Sequence, residues 1–233
     1  MRAAVRGRGR GVLGLATGSS PIGVYRHLGA LRAASPDLFD GLATYNLDEY
    51  YPMSPVDPMS YRAFMERHLF GAIGIAANRA HVLDGTVPEA YADRHARDFD
   101  RWIADDGGLD CQLLGIGRNG HIGFNEPTDL PADEALRLPT RLVELHPTTR
   151  EDAAADFGGL EHVPARALTV GPATILAARS IVVLAFGAAK AQAVADSLTG
   201  PMTARVPGSL LQSVASKVTW LVDPDAASRL PHA

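Results

Sequence analysis

A histidine, an asparagine and a glutamate lie close together in the segment GIGRNGHIGFNEP, residues 115–127. Histidine exchanges protons near neutral pH, so His121 could act as a general acid or base. Asn119 and Glu126 are the kinds of neighbour that fix the tautomer and orientation of an imidazole ring. A loop histidine with a purely structural role is the alternative, and this segment alone leaves both interpretations open.

Two carboxylates in YNLDEYY, residues 45–51, directly follow an apolar run. Successive side chains of a strand point to opposite faces, so only one of Asp48 and Glu49 can face a given cleft. A carboxylate that rigid structure holds at a cleft can serve as a general base. The alternative is a solvated strand end.

The segment LATGSSP, residues 15–21, combines a glycine that permits a sharp turn with two serine hydroxyls. A helix that follows would direct its free N–H groups and its positive end at this turn, which favours phosphate as a ligand. No G-K-[ST] sequence follows, so the turn is not a Walker loop. The alternative is an ordinary helix start with Ser20 as its N-cap.

Lys190, in LAFGAAKAQA, is predicted to lie just after a strand, at the start of a helix. A cation at that position opposes the helix dipole. An anionic ligand shared between the helix end and the ammonium group would offset this conflict. A solvated lysine is the alternative.

The pattern G-x-G-x-x-G in residues 115–120 is typical of dinucleotide-binding turns, but its surroundings argue against that function. The following HIGFNEP contains another glycine and ends at a proline, so a long helix is not expected there. An acidic residue at a strand end about 20 residues later is also missing. We therefore interpret the glycines as backbone that passes close to a ligand.

The elements that must position these residues are predicted from hydrophobic patterning. Six short apolar runs indicate strands buried on both faces, as in a mostly parallel sheet. They are residues 11–18, 42–50, 109–117, 165–171, 180–187 and 217–223. Helical spacing of apolar residues occurs at 21–34, 59–73, 89–108 and 188–200. Their alternation predicts a single α/β domain over residues 1–233, with the candidate residues at the carboxyl ends of the strands.

The segment 130–164 is polar, punctuated by prolines and less regular than its surroundings. A segment of this kind between strands is a candidate lid over a ligand site. An ordinary surface excursion is the alternative.

The composition is that of an ordinary globular protein: of 233 residues, 46% are hydrophobic and 21% are charged, with a formal net charge of −4. This acidic balance argues against a nucleic-acid partner. The single cysteine, Cys111, allows no internal disulfide and indicates a reducing, cytoplasmic location. No apolar stretch approaches the roughly 18–20 residues of a membrane span, so no membrane association is expected. Without a second histidine at ligand spacing or a thiolate pair, no metal site is expected.

Five segments together resemble the glucosamine-6-phosphate deaminase family, in that family's order and at similar intervals. They are LGLATGSSPIGVY, YNLDEYY, GIGRNGHIGFNEP, ALTVGPATI and FGAAKAQAV, within about residues 11–225. The resemblance implies a Rossmann-like three-layer sandwich without a dinucleotide. It also implies an aldose-ketose conversion of glucosamine 6-phosphate and water to fructose 6-phosphate and ammonia, without a cofactor.

The resemblance also implies roles for the candidate residues. Asp48 corresponds to the general base that carries a proton from C2 to C1, and His121 to the acid/base that opens the sugar ring. Asn119 and Glu126 correspond to the partners of that histidine. The positions that hold the substrate phosphate correspond to Thr17, Gly18, Ser19, Ser20 and Lys190.

Departures from the family pattern affect the lid and the termini. The family's T-R-x-x-N-x-R-F-F reads TREDAAADF here, so Arg150 is kept but the phosphate-clamping arginine falls on Ala155. One charge-assisted contact, on the order of 1.5–3 kcal/mol, is therefore expected to be missing. Short sequences before and after the resembling region predict a monomer or a small homo-oligomer. A related 6-phosphogluconolactonase-like hydrolase and a non-catalytic sugar-phosphate sensor are the alternative functions.

Overall fold

Nine strands and eight α-helices form the part of the protein that the computed structural model describes, residues 10–231. The strands are β1 (Gly11–Leu15), β2 (Leu42–Asn46), β3 (Asp48–Tyr51), β4 (Ala80–His81), β5 (Cys111–Gly115), β6 (Arg141–Glu144), β7 (Arg166–Thr169), β8 (Ile181–Ala185) and β9 (Val218–Val222). The helices are α1 (Ile22–Ala34), α2 (Tyr61–Met65), α3 (Gly71–Ile73), α4 (Glu89–Asp105), α5 (Ala132–Ala135), α6 (Pro147–Phe157), α7 (Pro172–Ala177) and α8 (Ala191–Thr199). A π-helical turn, Glu66–Phe70, joins α2 to α3.

Six of the strands form a parallel sheet in the order β4-β2-β1-β5-β8-β9. Alternation along β1 sends successive side chains to opposite faces of this sheet. On one face, Leu13 packs in a cluster with Tyr25 of α1 and Met65 of α2. On the other face, Val12 packs in a cluster with Phe99 of α4. Helices therefore cover both faces, and the predicted Rossmann-like three-layer sandwich is confirmed.

A second sheet departs from the prediction of one mostly parallel sheet. The apolar run 42–50 splits at Leu47, and β3 turns away from β2 to pair antiparallel with β7, which pairs antiparallel with β6. The run 165–171 was predicted as a strand of the parallel sheet, and that prediction is wrong. Its Leu168 belongs to the main core and its Ala167 to a cluster with Tyr50 and Phe124. A strand buried on both faces gives a continuous apolar run in either kind of sheet.

The segment 130–164 contains more regular structure than its composition predicts. It holds α5, α6, a 3-10 turn and β6, which is an edge strand of the antiparallel sheet. Only part of the candidate lid, the helix α6, lies over the ligand cleft described below.

The helix boundaries largely follow the sequence signals. Helix α4 ends just before Gly107 and Gly108, whose φ angles of 90° and 78° favour glycine, as the glycine stop predicted. Helix α1 begins after Pro21, which takes the N-cap position without a side-chain cap hydrogen bond, so the alternative of Ser20 as N-cap is wrong. Within residues 10–231, no helix has the length and apolar character that crossing a membrane requires.

Candidate active site

A cleft of about 300 Å³ lies at the carboxyl ends of β1, β2 and β5. Its walls come from the turn after β1, the start of β3, the loop after β5, one face of α6 and the turn before α8. Among the residues that line it are the predicted Thr17, Gly18, Ser19, Ser20, Asp48, His121 and Lys190. Parallel strands place the residues that follow them at one sheet edge, which brings these sequence-distant side chains together.

The turn of residues 16–20 forms one end of the cleft. Gly18 has a φ angle of 97°, a left-handed conformation that favours glycine, and this lets the chain reverse between β1 and α1. Because Pro21 occupies the N-cap, the Ser20 side chain makes no capping bond to the helix. Ser19 and Ser20 therefore line this end of the cleft just before the N-terminus of α1, whose positive end favours an anion.

Lys190 is the last residue of a 3-10 turn, Ala188–Lys190, and takes the N-cap position of α8. This agrees with its predicted place at the start of a helix. Its partial burial lowers the pKa of its ammonium group, an effect that nearby Asp152 opposes and nearby Arg118 reinforces. A cation held at a helix N-terminus and partly removed from water gains by binding an anion.

Asp48 is the most deeply buried carboxylate in the cleft. Its side chain is 6% exposed, and its Oδ1 atom has no hydrogen-bond partner within the described protein. Burial, with a smaller effect from the charge of Glu49, raises the pKa of Asp48 well above its ordinary value. A desolvated carboxylate that holds its proton more tightly than usual is suited to abstracting a proton from carbon.

Glu49 points away from Asp48, as strand alternation predicted, and has a different role. Its Oε1 accepts a hydrogen bond from the N–H of Tyr61 at 2.9 Å, and its Oε2 accepts one from Arg62 at 3.0 Å. Glu49 thus binds the free N–H groups at the start of α2. Burial raises the pKa of Glu49 to about 7, although these hydrogen bonds oppose the shift.

His121 is held by a polar network behind the cleft. Its Nδ1 lies 3.4 Å from Oε2 of Glu126 and 3.1 Å from Oγ1 of Thr149. Asn119 donates from Nδ2 to the same Glu126 oxygen at 3.0 Å and accepts the backbone N–H of His121 at 3.2 Å. Burial disfavours ionised Glu126, but the bonds from its three partners prevail and lower its pKa. The network fixes the ring through Nδ1 and leaves Nε2 as the nitrogen that can exchange protons.

The glycines of residues 115–127 serve this loop rather than a dinucleotide. A Cβ atom on Gly117 would overlap the His121 ring, so only glycine lets the ring lie against the backbone. Gly120 has a φ angle of 87°, and its own Cβ would press on Val206. No helix opens after the third glycine, since the next helix is α5. The interpretation that the backbone at these glycines passes close to a ligand stays a prediction, since the close neighbours in the structure are the His121 ring and Val206.

Helix α6 covers the cleft with one of its faces. Thr149, Asp152, Ala153 and Asp156 line the cleft, at the spacing of neighbours on a single helix face. Arg150, the arginine kept from the family pattern, donates instead to the carbonyl oxygens of Leu160 and Val163.

Two residues of the site, Thr149 and Asn125, lie in the segments TREDAAADF and GIGRNGHIGFNEP but are not among the predicted site residues. Thr149 contacts the His121 ring from α6, although only its neighbour Arg150 had been singled out. Asn125 donates to the carbonyls of Ile122 and Val170 and so ties the histidine loop to the residue after β7. The available signal for Asn125 is its position inside the segment GIGRNGHIGFNEP. Within residues 10–231, no cluster of three or more His, Cys, Asp or Glu side chains could hold a metal ion.

The fold and the cleft define a class of protein: a Rossmann-like α/β sandwich with a serine-rich turn after β1 and a carboxylate and a histidine at the same sheet edge. The chain belongs to the family described as glucosamine-6-phosphate isomerases/6-phosphogluconolactonase, whose model matches residues 1–220.

Individual relatives agree with this assignment. The chain is 42% identical over 219 residues to a glucosamine-6-phosphate deaminase from Halothermothrix orenii, covering 94% of this chain and 88% of the relative. It is 45% identical over 226 residues to one from Rhodopirellula baltica, covering 97% and 87%. A solved monomeric glucosamine-6-phosphate deaminase matches with a TM-score of 0.89 and 38% identity, covering 98% of this chain and 91% of that one. A 6-phosphogluconolactonase from Trypanosoma brucei shares the fold, with a TM-score of 0.75, 21% identity, and coverage of 95% and 86%.

Proposed function

We propose that this protein is a glucosamine-6-phosphate deaminase, an enzyme that converts glucosamine 6-phosphate and water to fructose 6-phosphate and ammonia. The observation that carries the proposal is that Asp48, His121 and Lys190 line one cleft together with the serine-rich turn. An aldose-ketose conversion needs a base at C2, an acid/base at the ring oxygen and an anchor for the phosphate. This cleft offers one group for each task.

The reaction begins with ring opening. The 16–20 turn and Lys190 hold the phosphate, which places the sugar ring between Asp48 and His121. The imidazole takes the proton from O1 and returns one to O5, so the ring opens to the aldehyde. Glu126 and Thr149 keep the imidazole in place throughout, because both bind it at Nδ1.

Proton transfer between carbons follows. Asp48 removes the proton from C2 of the open chain, the electron pair forms the C1–C2 double bond, and the carbonyl pair moves onto O1. O1 takes the proton that the substrate ammonium group gives up, which yields the enolamine. The same carboxyl group returns the proton to C1, which gives the ketimine at C2. Water adds to the ketimine carbon and ammonia leaves, yielding the ketose phosphate. The raised pKa of Asp48 strengthens it as a base but also requires a pH high enough to ionise it.

The direct test is ammonia release from glucosamine 6-phosphate by the purified protein. We expect turnover in the wild type and a loss of about 10²–10⁴-fold in kcat for Asp48→Asn, which keeps the size of the side chain but cannot accept the proton. Absence of ammonia above this Asp48→Asn background would refute the proposal. Binding of glucosamine 6-phosphate in calorimetry without turnover would indicate a sugar-phosphate sensor.

Assays with a second substrate, a phosphogluconolactone, distinguish the 6-phosphogluconolactonase alternative from the deaminase. A lactone hydrolase has no carbon proton to abstract, so Asp48→Asn with His121 intact would leave hydrolysis of a phosphogluconolactone largely unchanged. The identities of 38–45% belong to the deaminases cited above, whereas the lactonase match at 21% concerns the fold alone. We therefore expect hydrolysis of the lactone to be far slower than deamination.

We also propose that the substrate is a small amino sugar phosphate, that no nucleic acid or membrane takes part, and that the protein acts as a monomer in the cytoplasm. The solved structure with a TM-score of 0.89 is described as that of a monomeric enzyme, which supports the monomer. Light scattering coupled to gel filtration tests it; a stable dimer or larger assembly at micromolar concentration would contradict it.

A further inference from the structure

The cleft face of α6 carries negative charge where an anion is expected to bind. Asp152 and Asp156 line the cleft together with Ser19 and Lys190. Carboxylates close to a phosphate dianion disfavour its binding unless additional cations compensate for their charge. In the described part of the chain, Lys190 is the only lysine or arginine among the residues that line this cleft. A second cation is therefore needed at this end of the cleft.

Arg118 directly follows Gly117, which lines the cleft, and its side chain pairs with Asp152, which also lines it. Its Nε is 2.7 Å from Oδ1 of Asp152, and a terminal nitrogen is 3.0 Å from Oε2 of Glu151. Both Arg118 and Asp152 influence the pKa of Lys190, in opposite directions. Arg118 and Asp152 form an ion pair, and the charges of both act on Lys190.

Two other arginines near the cleft are less suited to bind the anion. Arg150 on α6 donates to the carbonyls of Leu160 and Val163, outside the cleft. Arg67 lines an adjoining cavity and donates to the carbonyl of Pro58 at 2.9 Å. In contrast, Arg118 is paired with carboxylates, and its side chain is 44% exposed, so it has room to move. A phosphate could replace these two carboxylates on the guanidinium and accept two parallel charge-assisted bonds from it.

We propose that Arg118 is the second phosphate-binding cation of this protein and that it exchanges Asp152 for the phosphate of the incoming sugar. In the structure, Asp152 and Glu151 hold the guanidinium in ion pairs and offset its charge. When the substrate enters, Arg118 turns to the phosphate opposite Lys190 and gives up its ion pair with Asp152. Asp152 therefore competes with the substrate for Arg118. This inference rests on the proposed function, because it assumes that the cleft accepts a phosphorylated sugar.

The test measures the Kd for inorganic phosphate by calorimetry, together with KM for glucosamine 6-phosphate, in matched variants. We expect Arg118→Met to weaken phosphate binding roughly tenfold or more, as the loss of a charge-assisted contact does. Asp152→Asn removes the competitor and is expected to tighten binding by a few fold. Arg118→Lys keeps the charge but not the two parallel bonds, so its Kd should fall between those of the wild type and Arg118→Met.

Arg67→Met is the matched control, since it removes an arginine from the neighbouring cavity, and it should leave the Kd within twofold. Thermal unfolding of each variant establishes that it is folded. If Arg118 only fastened α6 to the loop, Arg118→Met and Asp152→Asn would break the same ion pair and shift the Kd in the same direction. That result would overturn the proposal, as would an unchanged Kd in Arg118→Met or a larger effect of Arg67→Met.

The outcome is independent of catalysis. The predicted shifts in phosphate affinity without ammonia release would support the role of Arg118 and refute the deaminase proposal. Ammonia release together with an unchanged phosphate Kd in Arg118→Met would support the deaminase proposal and refute the role of Arg118. A wild-type protein that binds no phosphate at millimolar concentrations would overturn the role of Arg118.

Discussion

Glu126 connects the polar groups behind the cleft at the scale of single residues. It contacts the His121 ring at Nδ1 and accepts a hydrogen bond from Asn119. Its partners lower its pKa, so its carboxylate stays charged throughout the neutral range. A charged partner stabilises the imidazolium that forms whenever the histidine takes up a proton. We therefore regard Glu126 as the residue that positions and supports His121 rather than one that contacts the sugar.

Replacing Glu126 by glutamine keeps the size of the side chain and removes the charge. We expect kcat for glucosamine 6-phosphate to fall by roughly tenfold to a hundredfold, less than the 10²–10⁴-fold that a whole acid/base group contributes, with KM nearly unchanged. Steady-state kinetics at several pH values measure this fall in kcat, and full activity in Glu126→Gln would contradict the role.

The pKa of Glu49 is raised, whereas that of Glu126 is lowered, and this raised pKa leads to a prediction about stability. Its folded-state pKa of about 7 lies above the ordinary 4.5, so the folded state holds the proton more tightly than the unfolded state. The stabilisation that protonated Glu49 contributes to the folded state is fully present below about pH 4.5, and it is lost as the pH rises to about 7. The shift corresponds to about 3 kcal/mol.

Urea unfolding across this pH range tests the assignment. In Glu49→Gln the titrating group is gone, so the free energy of unfolding should depend less steeply on pH between about 5 and 7 than in the wild type. The comparison of slopes is independent of the overall stability that the variant loses at the start of α2. Identical slopes in the two proteins would show that Glu49 does not titrate there.

At the scale of elements, the loop after β5 owes its function to close packing between backbone and side chain. Gly117→Ala would place a methyl group where the His121 ring lies, so the ring must move. A displacement of about 1 Å at a catalytic group costs on the order of a hundredfold in rate. We expect a loss of that size in kcat, measured by ammonia release.

The control for this loop variant is Gly23→Ala in α1, where the added methyl group has no neighbour within 4 Å apart from adjacent residues and the backbone of its own helix. Alanine is the better helix former, so this substitution should stabilise the protein by about 0.5–1 kcal/mol without changing kcat. Equal activity in Gly117→Ala and Gly23→Ala would mean that the packing of His121 against the loop has no catalytic importance.

The elements also show how far the sequence could predict the molecule. Central strands such as β1 and β8 are continuous apolar runs and were identified, but burial alone could not assign β7 to a different sheet. The strand β6 was missed because it is short and only partly buried, and its residues resemble a polar excursion.

The candidate site was largely predictable because Asp48 and His121 follow strands at one sheet edge. The role of Thr149 could not be predicted, because its contact with the His121 ring depends on how α6 docks. Helix docking is a tertiary contact that no local pattern records. The same reason applies to Arg118, whose partners Glu151 and Asp152 lie on that helix.

At the scale of the whole molecule, the two sheets share one hydrophobic core. Leu168 of β7 is fully buried in the cluster that contains Val12 of β1 and Phe99 of α4. The antiparallel sheet carries Asp48, and the parallel sheet carries the loop with His121. The relative position of these two groups therefore depends on the core between the sheets. We propose that the chain folds as a single cooperative domain for this reason.

Leu168→Ala tests this proposal against Leu221→Ala, a leucine of β9 that is 48% exposed. Truncating the buried leucine should lower the free energy of unfolding by about 2–5 kcal/mol, whereas the exposed one should cost about 0.5 kcal/mol or less. Both variants should unfold in one transition, with the loss of near-ultraviolet circular dichroism and of ammonia release coinciding along the urea series. Separate transitions in Leu168→Ala, with the parallel sheet surviving the loss of activity, would show that the antiparallel sheet is an independent unit.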